Sequence, residues 1–435
     1  MTQAGVVPVT FEDATRRQGD ATSVLTCYLV LLWFVPSSMV VPALGSAGSP
    51  SSLLGVAAFF WWVWFHVRRT EPLTGGFQPV RASVLVWLLI MLVVYAHAMS
   101  GPLPSDEVSV ADSGMLRLLG MAGILLVAND GLGSSHHLHQ ILRRLALCAG
   151  LVAVLGLVQY STRELLVDRL SIPGLTASAL SGGLGDRGGF VRPSGTSTSP
   201  IEYGLVLALA LPIVIALASG HHRHRILFRI LLVPMVASIY FSISRSAYLC
   251  ALVGVVVMAA SWNGRQRLQA TGFLAVTSVA MYLSVPGLLG TIMGLFSNAG
   301  EDPSVGSRTG SYEIAGAFIE NSPVLGRGFG TFLPKYWILD NGYLGLLIEG
   351  GVLGLGGLLA LIGAGVLAAR QARRWSPDPD DQQLARALMA SIIAGAAGLA
   401  FFDAFAFPQS AGAVFLLLGL AGAMRRLKKP ADQPG

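Results

Sequence analysis

Apolar runs about as long as a membrane-crossing helix recur through the 435 residues, and nothing constrains the folding of this chain more. A bilayer core takes about 20 apolar helical residues to cross. Inside it every backbone N–H and C=O must find its partner within the protein. Twelve runs are predicted as helices, at 22–44, 51–67, 82–99, 114–129, 144–160, 202–219, 226–243, 246–261, 268–288, 342–368, 385–405 and 409–424. The expected fold class is therefore all-α: one integral membrane domain over 1–435, a polytopic bundle of about 12 transmembrane helices. Charged residues make up 12% of the chain, half the roughly 25% of soluble domains, which excludes an ordinary cytosolic enzyme. Cys27, Cys148 and Cys250 are odd in number and lie inside apolar runs, so no disulfide framework is expected.

A net charge of +6 would suit nucleic acid, but in a membrane protein cations first report orientation. The polar first 20 residues are expected to be an uncleaved inner tail. With that tail inside, twenty of the 29 lysines and arginines fall on the inner side. Outside stand Arg163, Arg169, Arg187, Arg192, Arg245, Arg308, Arg327 and Lys335, with Arg117 near the outer start of the fourth helix. The partner implied by the charge is the lipid bilayer, not a nucleic acid.

Two outer segments are longer than connections need to be: 161–201, and 289–341 with short helices expected within it. The first holds an amphipathic piece, Arg163 to Leu170, and a glycine-rich stretch, Ser181 to Phe190; the second holds a helical-looking run, Gly310 to Asn321. Arginines beside glycine, serine or threonine allow close backbone approach to an anion. Arg187, Arg192, Arg245, Arg308 and Arg327 are accordingly candidates for a bound phosphate group, and Arg245 would equally serve as an interfacial anchor. Asp340 and Glu349 are the candidate general bases. Asp340 would equally cap the helix that begins beside it, and Glu349, nine residues on, is expected on the opposite side and buried in the membrane. Glu202 and Asp403 stand at outer helix ends as charges without an assigned task. The histidines of 136–139 and 221–224 read as basic inner turns, and Pro377 to Asp381 as a solvated linker. No metal site, P-loop or dinucleotide fingerprint is expected.

Read in order, these residues carry a likeness. Arg192-Pro-Ser-Gly-Thr196, Ser199-Pro-Ile-Glu-Tyr203, Ser244-Arg-Ser-Ala247, Ser307-Arg308, Pro323 to Gly330, Asp340-Asn-Gly-Tyr-Leu344 and Glu349-Gly-Gly351 together resemble the O-antigen polymerase and O-antigen ligase family, over about 185–355. The resemblance implies a GT-C-like, metal-independent membrane glycosyltransferase without a cofactor. It would use a polyprenyl-diphosphate-linked oligosaccharide donor and a glycan acceptor at the outer face of a bacterial plasma membrane, with a chain-length regulator as a further partner. Its arginines would hold the diphosphate. The ligase branch carries a histidine where this chain has Asp340, and neither long outer loop contains one, so the resemblance leans to polymerisation of a cell-surface or exopolysaccharide. Transfer to another acceptor by a ligase, secondary transport, and a flippase without catalysis are the alternatives.

Overall fold

The computed structural model describes residues 11–68, 76–177, 184–221, 223–297 and 303–430, and the side chains of all of these except 11–20 and 303–309. Fourteen α-helices follow one another among them: α1 (Phe11–Phe34), α2 (Pro50–Val67), α3 (Pro79–Ser100), α4 (Ser105–Gly131), α5 (Ser135–Thr162), α6 (Pro200–Ser219), α7 (Arg225–Phe241), α8 (Arg245–Ala259), α9 (Gly264–Ser284), α10 (Leu288–Ser297), α11 (Pro303–Asn321), α12 (Gly342–Trp375), α13 (Pro379–Leu399) and α14 (Pro408–Lys428). Each apolar run of the sequence holds one of them. Seven are long and apolar enough to cross a membrane, eight if the bent pair α9 and α10 is one span. The chain is a multi-pass membrane protein.

Helix α6 lies at the centre, with 89% of its apolar window buried, whereas α2 is peripheral, with 17%. Proline ends the first helix early. The run predicted at 22–44 stops being helical after Phe34, because Pro36 cannot donate a helical hydrogen bond, and the chain continues through a strand, β1 (Met39–Val40), and a 3-10 turn. The run at 268–288 holds α9 and ends where α10 begins, the two helices meeting at 112°, with Gly287 at φ +87° after Pro286.

Two small antiparallel ladders stand between the helices. β1 pairs antiparallel with β2 (Thr176–Ala177), and β3 (Gly185–Arg187) with β4 (Phe190–Arg192). The amphipathic piece at 163–170 forms only one 3-10 turn, Leu166–Arg169. The helical-looking run at 310–321 is the second half of α11. Helix α4 begins nine residues before its predicted start, so Arg117 stands well inside it. The extension is polar, and its Asp106 and Glu107 find cations in the loop after α11.

Candidate active site

Three of the five candidate arginines converge beside the start of α8. The hairpin β3–β4 turns through Gly188 and Gly189, both at positive φ, the requirement of a tight two-residue hairpin turn. Arg187 pairs with Phe190 and Gly185 with Arg192, which places Arg187, Phe190 and Arg192 on one face. A side chain at Gly188 would come within 2.9 Å of Thr291, so the hairpin rests on α10. From that face Arg192 Nε donates to the Ser242 carbonyl at 2.7 Å. Its Nη2 is buried without a hydrogen-bond partner. Burial, with Arg187 close by, pushes the Arg192 guanidinium down to about 10.

Both arginines lie within electrostatic reach of Tyr248, one turn into α8. Arg245 opens that helix and donates to the Leu295 carbonyl of α10 at 3.1 Å, and Ser244 caps it by accepting from the Ala247 N–H. The residue between Ser242 and Ser244 is Ile243, fully buried at φ +42°, a strained conformation for a β-branched side chain. The strain is held where one carbonyl meets Arg192 and one hydroxyl starts α8. Beside the hairpin opens a cavity of about 390 Å³ lined by Tyr160, Arg163, Phe190 and Ser284 to Pro286. Aromatic rings and a nearby unpaired guanidinium donor suit a sugar attached to a phosphate.

Of the other two arginines, only Arg327 has a described side chain. Arg308 lies on α11 where side chains are outside the described residues. Arg327 forms an ion pair with Glu107, which is fully buried and also accepts from the Tyr336 hydroxyl. The Arg327 guanidinium lies over the rings of Phe318 and Tyr336 at 5.0 and 4.8 Å. These partners lie on α4, α11 and the loop after it, whereas Arg192 and Arg245 donate to the Ser242 and Leu295 carbonyls.

The carboxylates gather around a broken helix. Inside α12, Gly351 adopts φ +61°, and a side chain there would meet the Val324 carbonyl oxygen at 2.2 Å. The loop 323–330 lies along the break and pairs the backbone groups it orphans: Arg327 N–H to Ile348 O, Gly328 N–H to Glu349 O, and Val352 N–H to Pro323 O. That satisfies the demand that buried backbone groups be hydrogen-bonded. Two residues past this loop, the Phe332 N–H donates to Oε1 of the Glu349 side chain at 3.1 Å.

Glu349 and Asp403 both feel the charge of Arg117, whose Nη1 donates to the Phe405 carbonyl at 3.1 Å. Asp403 sits in the turn between α13 and α14, where burial raises its carboxyl above the usual range, against the lowering by Arg117. Asp340 is within electrostatic reach of Asp403 as well. Asp340 and Glu349, expected on opposite sides, thus share a neighbour, because Asp340 precedes α12 and does not follow its period. The cap of α12 is Asn341, which accepts from the Tyr343 and Leu344 N–H groups. All four members are of intermediate exposure, and three carboxylates and one arginine make one charged crevice beside the break in α12. Close carboxylates cannot all ionise freely, so such a group can hold and release a proton.

Glu202 has a structural task. Fully buried, it accepts from Thr198 N–H at 2.8 Å and Gln409 N–H at 2.9 Å, and from Ser410 N–H and the Ser37 hydroxyl. It ties the start of α6 to the start of α14. Arg117 and Asp403 were visible in the sequence only as charges near helix ends. Arg117 meets Glu349, Asp403 and the Phe405 carbonyl across more than 200 residues of chain, and no local pattern announces them.

Residues 230–359 match the family described as O-antigen ligase. That span runs from α7 into α12 and includes Arg245, Arg327, Asp340 and Glu349, while the β3–β4 hairpin precedes it. The match supports the O-antigen ligase and polymerase family and a membrane role in ligase- or polymerase-type glycan transfer. No curated protein matches the chain.

Proposed function

We propose that this protein joins polyprenyl-diphosphate-linked oligosaccharide units into a cell-surface or exopolysaccharide at the outer face of a bacterial plasma membrane. The observation that carries the reading is the buried, unpartnered Nη2 of Arg192 beside Arg187 and Arg245. An unmet guanidinium donor costs free energy unless an anion completes it. The acceptor hydroxyl oxygen forms a bond to the anomeric carbon of the donor, and the bond from that carbon to the diphosphate breaks. The electron pair leaves on the diphosphate, whose charge the arginines stabilise in the role often given to a metal. The hydroxyl proton passes to the crevice, with Asp340 as first acceptor and Glu349 as second. Arg327, paired with Glu107, orders the loop that carries it and so shapes the crevice. Polymerisation is favoured over ligation by Asp340, which stands where the ligases it resembles carry histidine.

The test is chain extension by purified protein supplied with lipid-linked repeat units. Arg192→Lys keeps the charge and loses the fork, and we expect turnover to fall about 10²- to 10³-fold, the scale of one preorganised donor. Asp340→Asn should abolish extension and Glu349→Gln weaken it. Normal polymer from a well-folded Arg192→Lys protein would remove the diphosphate assignment, and product joined only to a non-glycan acceptor would make the enzyme a ligase.

A further inference from the structure

At the opposite end of the bundle, the starts of α5 and α7 enclose a cavity of about 300 Å³ that the transfer reaction does not use. Gln140, Arg143 and Arg144 line it from the first turns of α5, His224 from the turn before α7, and Leu147 and Leu227 form its apolar side. Arg144 is steadied by a hydrogen bond from its Nη1 to the Thr26 hydroxyl of α1. Arg143 Nε is buried and makes no hydrogen bond. Neither arginine has a carboxylate partner among the described residues. Two cations without counter-ions, one with an unmet donor, therefore face a space large enough for a phosphate headgroup.

The surface that continues from the cavity is apolar. Helices α5 and α7 run side by side in the same direction, with the Ser238 hydroxyl donating to the Ala153 carbonyl at 2.7 Å and Tyr160 stacked on Phe241 at 3.9 Å. Leu151, Val154 and Val158 extend the stripe of Leu147 along one face of α5, exposed by 53%, 41% and 40%. Ile230 and Val233 do the same on α7, at 61% and 50%. Cations followed by an apolar groove reproduce the order of a phospholipid, headgroup and then acyl chain. The cation bias puts this end inside, where the leaflet carries anionic lipid and basic pockets between helices bind its headgroups.

We propose that this cavity is a binding site for one anionic phospholipid, its phosphate on Arg143 and Arg144 and its acyl chains along α5 and α7. The experiment is native mass spectrometry of the full-length protein in neutral detergent, titrated with phosphatidylglycerol or phosphatidylcholine. We expect phosphatidylglycerol to be retained and phosphatidylcholine not. Arg143→Gln should weaken retention about fivefold, the worth of one cation near an anionic headgroup. Leu227→Trp fills the cavity from an exposed position without changing charge, and should weaken it at least as much. Millimolar inorganic phosphate should not displace the lipid. Equal retention of the two lipids, or undiminished phosphatidylglycerol in both variants, overturns the proposal, as does displacement by inorganic phosphate, which would make it a free-phosphate site. Thermal unfolding of the variants in the same detergent separates lost binding from lost fold, and Leu227→Trp decides the matter if Arg143→Gln is unstable.

Discussion

Arg117 shows how one residue sets the chemistry of its neighbours. It lowers the Asp403 carboxyl that burial raises, and it stands in electrostatic reach of Glu349. Replacing it by glutamine keeps a donor for the Phe405 carbonyl and removes the charge. The sign follows directly: without the cation the carboxylates bind protons more tightly, so the crevice becomes a competent base only at higher pH. The acid limb of the profile of kcat/KM against pH should therefore move upward in Arg117→Gln, by about one unit for a lost neighbouring charge. An unmoved limb, with activity retained, would sink the idea that the charge of Arg117 governs the proton affinity of the carboxylates beside it. The candidate residues were legible as residue types because charges are scarce in an apolar chain and expensive at bilayer depth. Their grouping was not legible. Nothing local links Asp403 to Asp340, or separates Arg327, which is paired with Glu107, from Arg192, which has no carboxylate partner among the described residues.

At the scale of elements, the break in α12 and the loop that fills it form one unit. Glycines recur through α12 at 345, 350, 351, 354, 356 and 357, each readable as a tolerated cost of about 1 kcal/mol, so the sequence does not single out Gly351 as the one that interrupts the helix. The hairpin carrying Arg187 and Arg192 was hidden for another reason: its strands have three residues each, below the length at which alternation can be read. The helices themselves were legible, because each apolar run must pair its own backbone in lipid. Gly351→Ala tests the unit. It forces a left-handed conformation, which costs about 1–2 kcal/mol, and drives a methyl group into the Val324 carbonyl. The loop 323–330 should detach, seen as faster proteolysis there and a lower melting temperature, and chain extension should be lost with it. A variant that keeps both the melting temperature and the protease resistance of wild type would mean the loop is not held by the break.

At the scale of the whole molecule, both candidate site groups must open to the same side of the membrane, since one reaction needs the diphosphate clamp and the base together. We expect the cation distribution to set that side. Charge bias in short loops governs orientation at about 1 kcal/mol or more per misplaced charge, and the imbalance here is large. The outer segments 161–201 and 289–341 should then be reachable from outside, and the turn between α8 and α9 from inside. Cys27 is exposed while Cys148 and Cys250 are buried, so single cysteines are best placed in a background lacking all three. Gly183→Cys and Ser304→Cys should react with a membrane-impermeant thiol reagent in intact cells. Gly264→Cys, where an added side chain meets nothing within 4 Å, should react only after permeabilisation. The reverse pattern would turn the molecule over, placing the arginines of the hairpin inside, where a donor already carried to the outer face could not reach them.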